Sequence, residues 1–171
     1  MLAYAFQILN QKNYEDVAVE SFDEMYDLLA AILAKGIGMQ LKQGLYREYI
    51  NHQEELSVMR GKINLSGTIK NRLMHERVLT CAFDELSENN LYNQILKTTV
   101  MLLLKNAKVK IEYKNDLKKK MLFFSNVDLL KPTFIKWSAI RFQRNNQTYR
   151  MLIRICQLIM EGMLMTTDAG D

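Results

Sequence analysis

Residues 44–86 read GLYREYINHQEELSVMRGKINLSGTIKNRLMHERVLTCAFDEL, and this stretch decides the fold. Tyr46, Glu48 and Ile50 alternate with Leu45, Arg47 and Tyr49, the period-two pattern of a strand rich in aromatic and β-branched residues. Asn51, His52 and Gln53 then read as a turn. Leu56 and Val58 share one parity, whereas Ile63 and Leu65 fall on the other. Because strand side chains alternate between faces, the phase must slip between these pairs. Gly61 is the natural place for a bulge or tight turn, and the slip turns Arg60 and Lys62 outward. Residues 68–76 are polar, basic and helical in tendency, and residues 78–83 form a third strand. The expectation is a small antiparallel sheet or projecting hairpin over about 45–83.

The flanks are helical. Ser21 and Glu24 have capping-box spacing, and Asp23, Glu24 and Asp27 suit the positive end of a helix over 21–43. Phe22, Met25, Leu28, Leu29, Ile32 and Leu33 form its apolar stripe. Gly36 and Gly38 weaken this helix or let a neighbour approach closely, and Gly44 is its stop. The apolar opening suggests a short helix over about 1–10. Ser87 caps a helix over 87–106, with Leu91, Ile95, Thr98, Thr99, Leu102 and Leu103 on its buried side. Six lysines lie in residues 108–120, and Leu117, Met121 and Leu122 predict a basic-faced helix over 114–123. Residues 123–140 are irregular around Pro132, with Trp137 packing the loop down. A last helix over 145–164 buries Tyr149, Leu152, Ile153, Cys156, Ile159 and Met160, leaving Arg150 and Arg154 on its polar side. The fold class is therefore α+β, mainly α, in one domain over residues 1–171.

The totals narrow the function classes. Apolar residues at 49% and charged residues at 25% are ordinary for a soluble globular domain. Eleven Met and one Pro suit a helical chain with an adaptable core. Cys81 and Cys156 sit far apart in apolar contexts, so buried reduced thiols in a cytoplasmic protein are expected. The longest apolar tract, residues 100–104, is far short of the ~20 residues a membrane span needs. Residues 1–60 hold five Lys/Arg against nine Asp/Glu, and residues 61–171 hold eighteen against ten. An acidic front of net −4 and a basic back of net +8 permit a nucleic-acid or acidic-protein partner.

Catalytic motifs are scarce. There is no Gly-rich phosphate loop, no GxSxG and no HExxH. His52 and His75, the two histidines, read as surface residues and lack the cysteine partners of a zinc site. Glu112 and Lys114 follow Val109 and Ile111 in the pattern of half a PD-(D/E)xK nuclease strand, with Asp84 as the nearest second carboxylate for Mg²⁺. The surrounding lysines read better as a helix face. Arg141, Arg144, Asn145, Asn146 and Arg150 form a basic, polar cluster suited to DNA or phosphate contact. Aromatic residues are not interleaved with these charges, which argues against a platform for stacking single strands.

Six segments carry a resemblance: MLAYAF at 1–6, LAKGI at 33–37, LKQGLYREY at 41–49, LSVMRGKINLSGTI at 56–69, FDELSENNLYNQILKTT at 83–99 and NNQTYRMLIRIC at 145–156. In order and spacing the chain resembles the N-terminal region of the McrC family. These are the nuclease subunits of the McrBC restriction system, which attacks DNA with modified cytosines such as 5-methylcytosine. The resemblance implies that this region engages a hexameric AAA+ GTPase, McrB, and stimulates its GTP hydrolysis, while McrB recognises the modified site. It implies partner contacts within the matched segments at Arg47, Glu48, Arg60, Gly61, Lys62, Asp84, Glu85 and Asn90. The family's PD-(D/E)xK nuclease domain, with its Mg²⁺, is expected downstream of Asp171, and GTP on the partner. No catalytic residue, metal, cofactor or small-molecule substrate is therefore expected in this chain, and no membrane. The family's strand-like lead before the MLxYA motif is not seen here, so the resemblance also implies a piece of a longer protein. The alternative is a basic DNA-contacting domain of the same restriction complex.

Overall fold

The computed structural model describes the backbone of residues 25–168. The expected helix over 1–10 and the Ser21 cap lie outside these residues. Among the described residues, α1 spans Met25–Gln43, β1 Glu48–Leu56, β2 Lys62–Ile63 and α2 Leu65–Leu73. Then come β3 Leu79–Ser87, α3 Leu91–Lys105, α4 Ile111–Met121 and α5 Gln147–Asp168. Short 3₁₀ turns punctuate the connection from α4 to α5. The mainly α, α+β class is as expected.

Four helices make the body. α1 packs on α4 and α5, and α3 packs on α4 and α5. Their apolar stripes meet in one core that includes Leu33, Ile37, Ile95, Leu103, Leu117, Phe124, Tyr149 and Ile159. All six residues expected on the buried face of α5 are buried there. Leu91 is an exception on α3: it is 41% exposed, at the first residue of the helix. Gly36 is a contact point. A Cβ there would collide with Cδ2 of Leu152, so the missing side chain is what lets α1 and α5 close up.

The sheet has the order β1-β3-β2, both pairings antiparallel. β3 is therefore central, and β1 and β2 are not a hairpin. The expected turn at Asn51, His52 and Gln53 does not form, because β1 runs straight through it. Asn51 donates to Asp84 at 3.0 Å and His52 stacks on Phe83 at 5.9 Å, so cross-strand partners outweigh local turn tendency. The slip at Gly61 is real. Leu56 pairs with Leu79 and Ile63 with Cys81, so residues of opposite parity reach the same face of the sheet. Gly61 has φ +66°, and a Cβ there would stand 2.7 Å from Phe83 Cβ. α2 lies against the Thr80 side of β3, where the Thr80 hydroxyl donates to the Asn71 side-chain oxygen at 3.0 Å and the Thr80 N–H donates to Thr68 Oγ1 at 3.1 Å.

α3 starts later than expected. Ser87 is the last residue of β3, and the cap is Asn90, whose side chain accepts from the Asn93 N–H at 3.2 Å. α4 starts earlier, at Ile111, and ends at Met121, where a 3₁₀ turn over Leu122–Phe124 takes over. Glu112 and Lys114 consequently lie on a helix, which removes the nuclease-strand reading of that pair. Among the described residues no helix is long and apolar enough to cross a membrane. Cys81 and Cys156 are both free and buried, as expected.

Candidate interaction site

One hydrogen-bonded joint fixes how the sheet leaves the helical body. The Tyr149 hydroxyl donates to Asn93 Oδ1 at 2.9 Å and accepts the Tyr46 backbone N–H at 2.9 Å. The Tyr46 carbonyl accepts from Asn90 Nδ2 at 2.8 Å and from Asn93 Nδ2 at 2.9 Å. Both backbone groups of the residue that leads into β1 are thus held by side chains of α5, α3 and its cap. Tyr92 and Tyr149 pack edge-on at 6.1 Å between ring centres, and Tyr46 meets Tyr92 edge-on at 5.6 Å. Burial pushes the Tyr149 hydroxyl up to about 12; Glu88 adds to the rise and the Tyr46 N–H opposes it. Burial raises Tyr46 and Tyr92 as well, with Glu48 adding to both. All three phenols stay neutral donors at ordinary pH.

The joint corrects two sequence expectations. Asn90 and Asn146 are 3% and 1% exposed, so neither presents a side chain to a partner. Asn90 is spent on the Tyr46 carbonyl, and Asn146 accepts from the Gln143 N–H in a capping box ahead of α5. The other expected residues lie nearer the surface. Arg47 is exposed and pairs with Glu88 at 2.7 Å, while the half-buried Glu48 accepts from the Tyr46 hydroxyl at 3.2 Å. Asp84 and Glu85 are exposed on β3. Arg141, Arg144, Asn145 and Arg150 are exposed along the approach to α5 and its first turn.

Arg60 is turned outward, as expected, but it is also anchored. Its guanidinium carbon lies 4.0 Å from the centre of the Phe83 ring, and its Nη2 lies 4.0 Å from Glu85. Phe83 is covered on that face by Arg60 and His52 rather than by the main core. The Arg60 side chain is therefore held in place, with its charge still in water.

The largest feature that sequence reasoning missed is apolar. Leu65, Ile69 and Leu73 on α2 are 71%, 58% and 77% exposed, and Met74 at the cap is exposed beside them. Their spacing of four residues puts the three on one stripe, the side of α2 turned away from β3. Val58 and Met59, in the loop before the Arg60 corner, are exposed too. The stripe was visible in the spacing of Leu65, Ile69 and Leu73. It was obscured because the residues between them are mostly polar and Leu65 falls in the strand-like run that precedes the helical tendency over 68–76.

A second feature lies at the other end of the molecule. The connector ahead of α5 and the first turns of that helix enclose a cleft of about 260 Å³ lined by Trp137, Ile140, Phe142, Arg150, Ile153 and Arg154. Aromatic rings and two of the arginines thus share one lining, although the sequence pattern argues against a platform for stacking single strands. Among the described residues, no group of three or more His, Cys, Asp or Glu is placed to hold a metal ion.

Comparison with known proteins agrees with this architecture. The chain is 23% identical over 170 residues to the type IV methyl-directed restriction enzyme EcoKMcrBC of Escherichia coli K12. That alignment takes in 99% of this chain and 49% of the relative, so the chain spans about half of the relative's length. A chain of the Thermococcus gammatolerans McrBC complex shares the fold at a TM-score of 0.63 and 23% identity, over 78% of this chain and 40% of that one. A chain from a tetradecameric assembly of T. gammatolerans McrB AAA+ hexamers with bound McrC gives 0.64 and 21%, over 83% and 34%. The family model described as McrBC 5-methylcytosine restriction system component matches residues 1–171 in full, and the chain belongs to that family.

Proposed function

We propose that this chain is the partner-contacting module of an McrC-type restriction subunit, and that its sheet and α2 meet an McrB-like AAA+ GTPase hexamer. The observation that carries this reading is the exposed stripe of Leu65, Ile69, Leu73 and Met74, adjoining the sheet that holds the Arg60 and Lys62 corner. An exposed apolar row on one helix face has the composition of an interface core, which excludes water when covered. The shared fold with a chain of an assembly of McrB hexamers and bound McrC supports the choice of partner. In this reading α2 supplies affinity, and Arg60, pre-oriented over Phe83, supplies a fixed guanidinium suited to phosphate charge during GTP hydrolysis. Lys62, with Asp84 and Glu85 on the same sheet, sets register. GTP belongs to the ring, and cleavage of modified-cytosine DNA belongs to a Mg²⁺-dependent nuclease domain of the same subunit. The chain itself binds rather than cuts.

Co-elution of the chain with the cognate GTPase ring tests this directly. The expected result is a stable complex that Ile69→Asp abolishes while the variant stays folded. Co-elution unaffected by Ile69→Asp and by Arg60→Ala would put the contact elsewhere.

A further inference from the structure

The cleft ahead of α5 has a composition that its structural role does not require. Ile140 and Ile153 are 9% and 3% exposed and form an apolar floor. Trp137 and Phe142 are half-buried beside them, and Phe142 is steadied by a tilted contact with Tyr92 at 5.9 Å between ring centres. Arg150 and Arg154, exposed one helical turn apart, complete the lining with Gln157, which donates to Glu161 at 2.7 Å. Residues 129–160 hold six Lys/Arg and no Asp or Glu, so the segment that forms most of the cleft is basic, with Glu161 as the nearest carboxylate beyond it in sequence.

The geometry points to a site for one base of a nucleic-acid single strand. The base stacks on Trp137 and Phe142, and its flanking phosphates meet Arg150 and Arg154. Small-molecule pockets run to about 300–1,000 Å³. At about 260 Å³ this one suits a single planar ring, and two bases do not fit. Aromatic rings accept any base through its π-face, and guanidinium forks take phosphate oxygens in pairs. A base still stacked in a duplex cannot enter a cleft, which restricts the site to an unpaired strand. Arg141 and Arg144, exposed on the connector, extend the positive surface beyond one nucleotide, which favours a strand over a free nucleotide. An acidic peptide would use the arginines and leave the rings unengaged.

Trp137 is the single tryptophan of the chain, so its emission reports on the cleft alone. The test titrates the chain with a twelve-nucleotide oligothymidylate at low salt, following Trp137 emission and the anisotropy of a labelled oligonucleotide. Parallel arms use thymidine monophosphate, inorganic phosphate, a duplex and an abasic oligomer of equal length. The expected result is saturable quenching by the oligothymidylate. Affinity is expected to fall at least tenfold in Arg150→Ala/Arg154→Ala and severalfold for the abasic oligomer. Trp137→Ala is expected to lose binding by anisotropy where Trp137→Phe keeps it. Both arginines are exposed, so the double variant is expected to keep its melting temperature. Four results would overturn the proposal: no binding, equal affinity for the abasic oligomer, undiminished binding by the double arginine variant, or duplex binding without a change in Trp137 emission. Thymidine monophosphate binding as tightly as the oligonucleotide would also overturn it, by making the site one for free nucleotides.

Discussion

Tyr149 donates its hydroxyl proton to Asn93 Oδ1 across 2.9 Å, and this one bond ties α5 to α3 at the root of the sheet. Because the same oxygen accepts the Tyr46 N–H, the pair sets the angle at which β1 leaves the body. Replacing Tyr149 by Phe keeps the ring and strands that N–H and Asn93 Oδ1 without a partner. A buried unsatisfied polar group costs about 1–3 kcal/mol, so Tyr149→Phe is expected to lose about that much in urea denaturation. Asn93→Leu is expected to cost more, since Asn93 also holds the Tyr46 and Glu88 carbonyls.

The same joint makes stability sensitive to alkali. Tyr149 is pushed from 10.0 up to about 12, and burial likewise pushes Cys156 from 9.0 up to about 12. Both groups are neutral when protonated, and the folded state holds their protons to higher pH than the unfolded chain does. Their stabilisation is therefore fully present below pH 9 and declines as pH rises from about 9 to about 12. Urea midpoints are expected to be flat from pH 7 to pH 9 and to fall above it. The fall is expected to be shallower in the double variant Tyr149→Phe/Cys156→Ala, measured relative to its own value at neutral pH.

Gly61 separates the two parities of the strand region, and its left-handed backbone has no room for a side chain. Strain of this kind costs about 1–3 kcal/mol. Gly61→Ala is expected to destabilise the chain by that order and to release β2 from β3. In hydrogen exchange, the amide of Asn64, which bonds the Thr80 carbonyl at 2.7 Å, should lose protection before any amide of α3.

Gly36 faces Leu152 with no space for a methyl group. Overpacking of this sort costs about 1–3 kcal/mol. Gly36→Ala is expected to lower stability despite its gain in helix propensity, and Leu152→Ala in the same chain is expected to cost less than it does alone. A double-mutant cycle measures that coupling.

Much of the fold was legible because it rests on period. The apolar face of α5, the stop at Gly44 and the slip at Gly61 follow from spacing and glycine. What was not legible depends on partners distant in sequence. Asn51 and His52 are turn formers that Asp84 and Phe83 hold in a strand. Ser87 and Asn90 are both good caps, and the Tyr46 carbonyl selects Asn90. The candidate site was half legible. Its polar and charged residues were named from the matched segments and from the basic cluster ahead of α5, and two of them, Asn90 and Asn146, are buried in hydrogen bonds within the fold. The apolar stripe of α2 was not legible because its exposure depends on the tertiary packing, in which no described residue covers it.

The central claim is that α2 and the Arg60 corner act on a GTPase ring, and GTP turnover by the cognate ring measures it most directly. Exposed positions tolerate change within about ±0.5 kcal/mol, so Ile69→Asp and Arg60→Ala are expected to remain folded. Turnover is expected to rise on addition of the chain, to show no rise with Ile69→Asp, and to show less than a tenth of the rise with Arg60→Ala at saturating concentration. Turnover unchanged by the chain, or raised equally by all three proteins, would contradict the account.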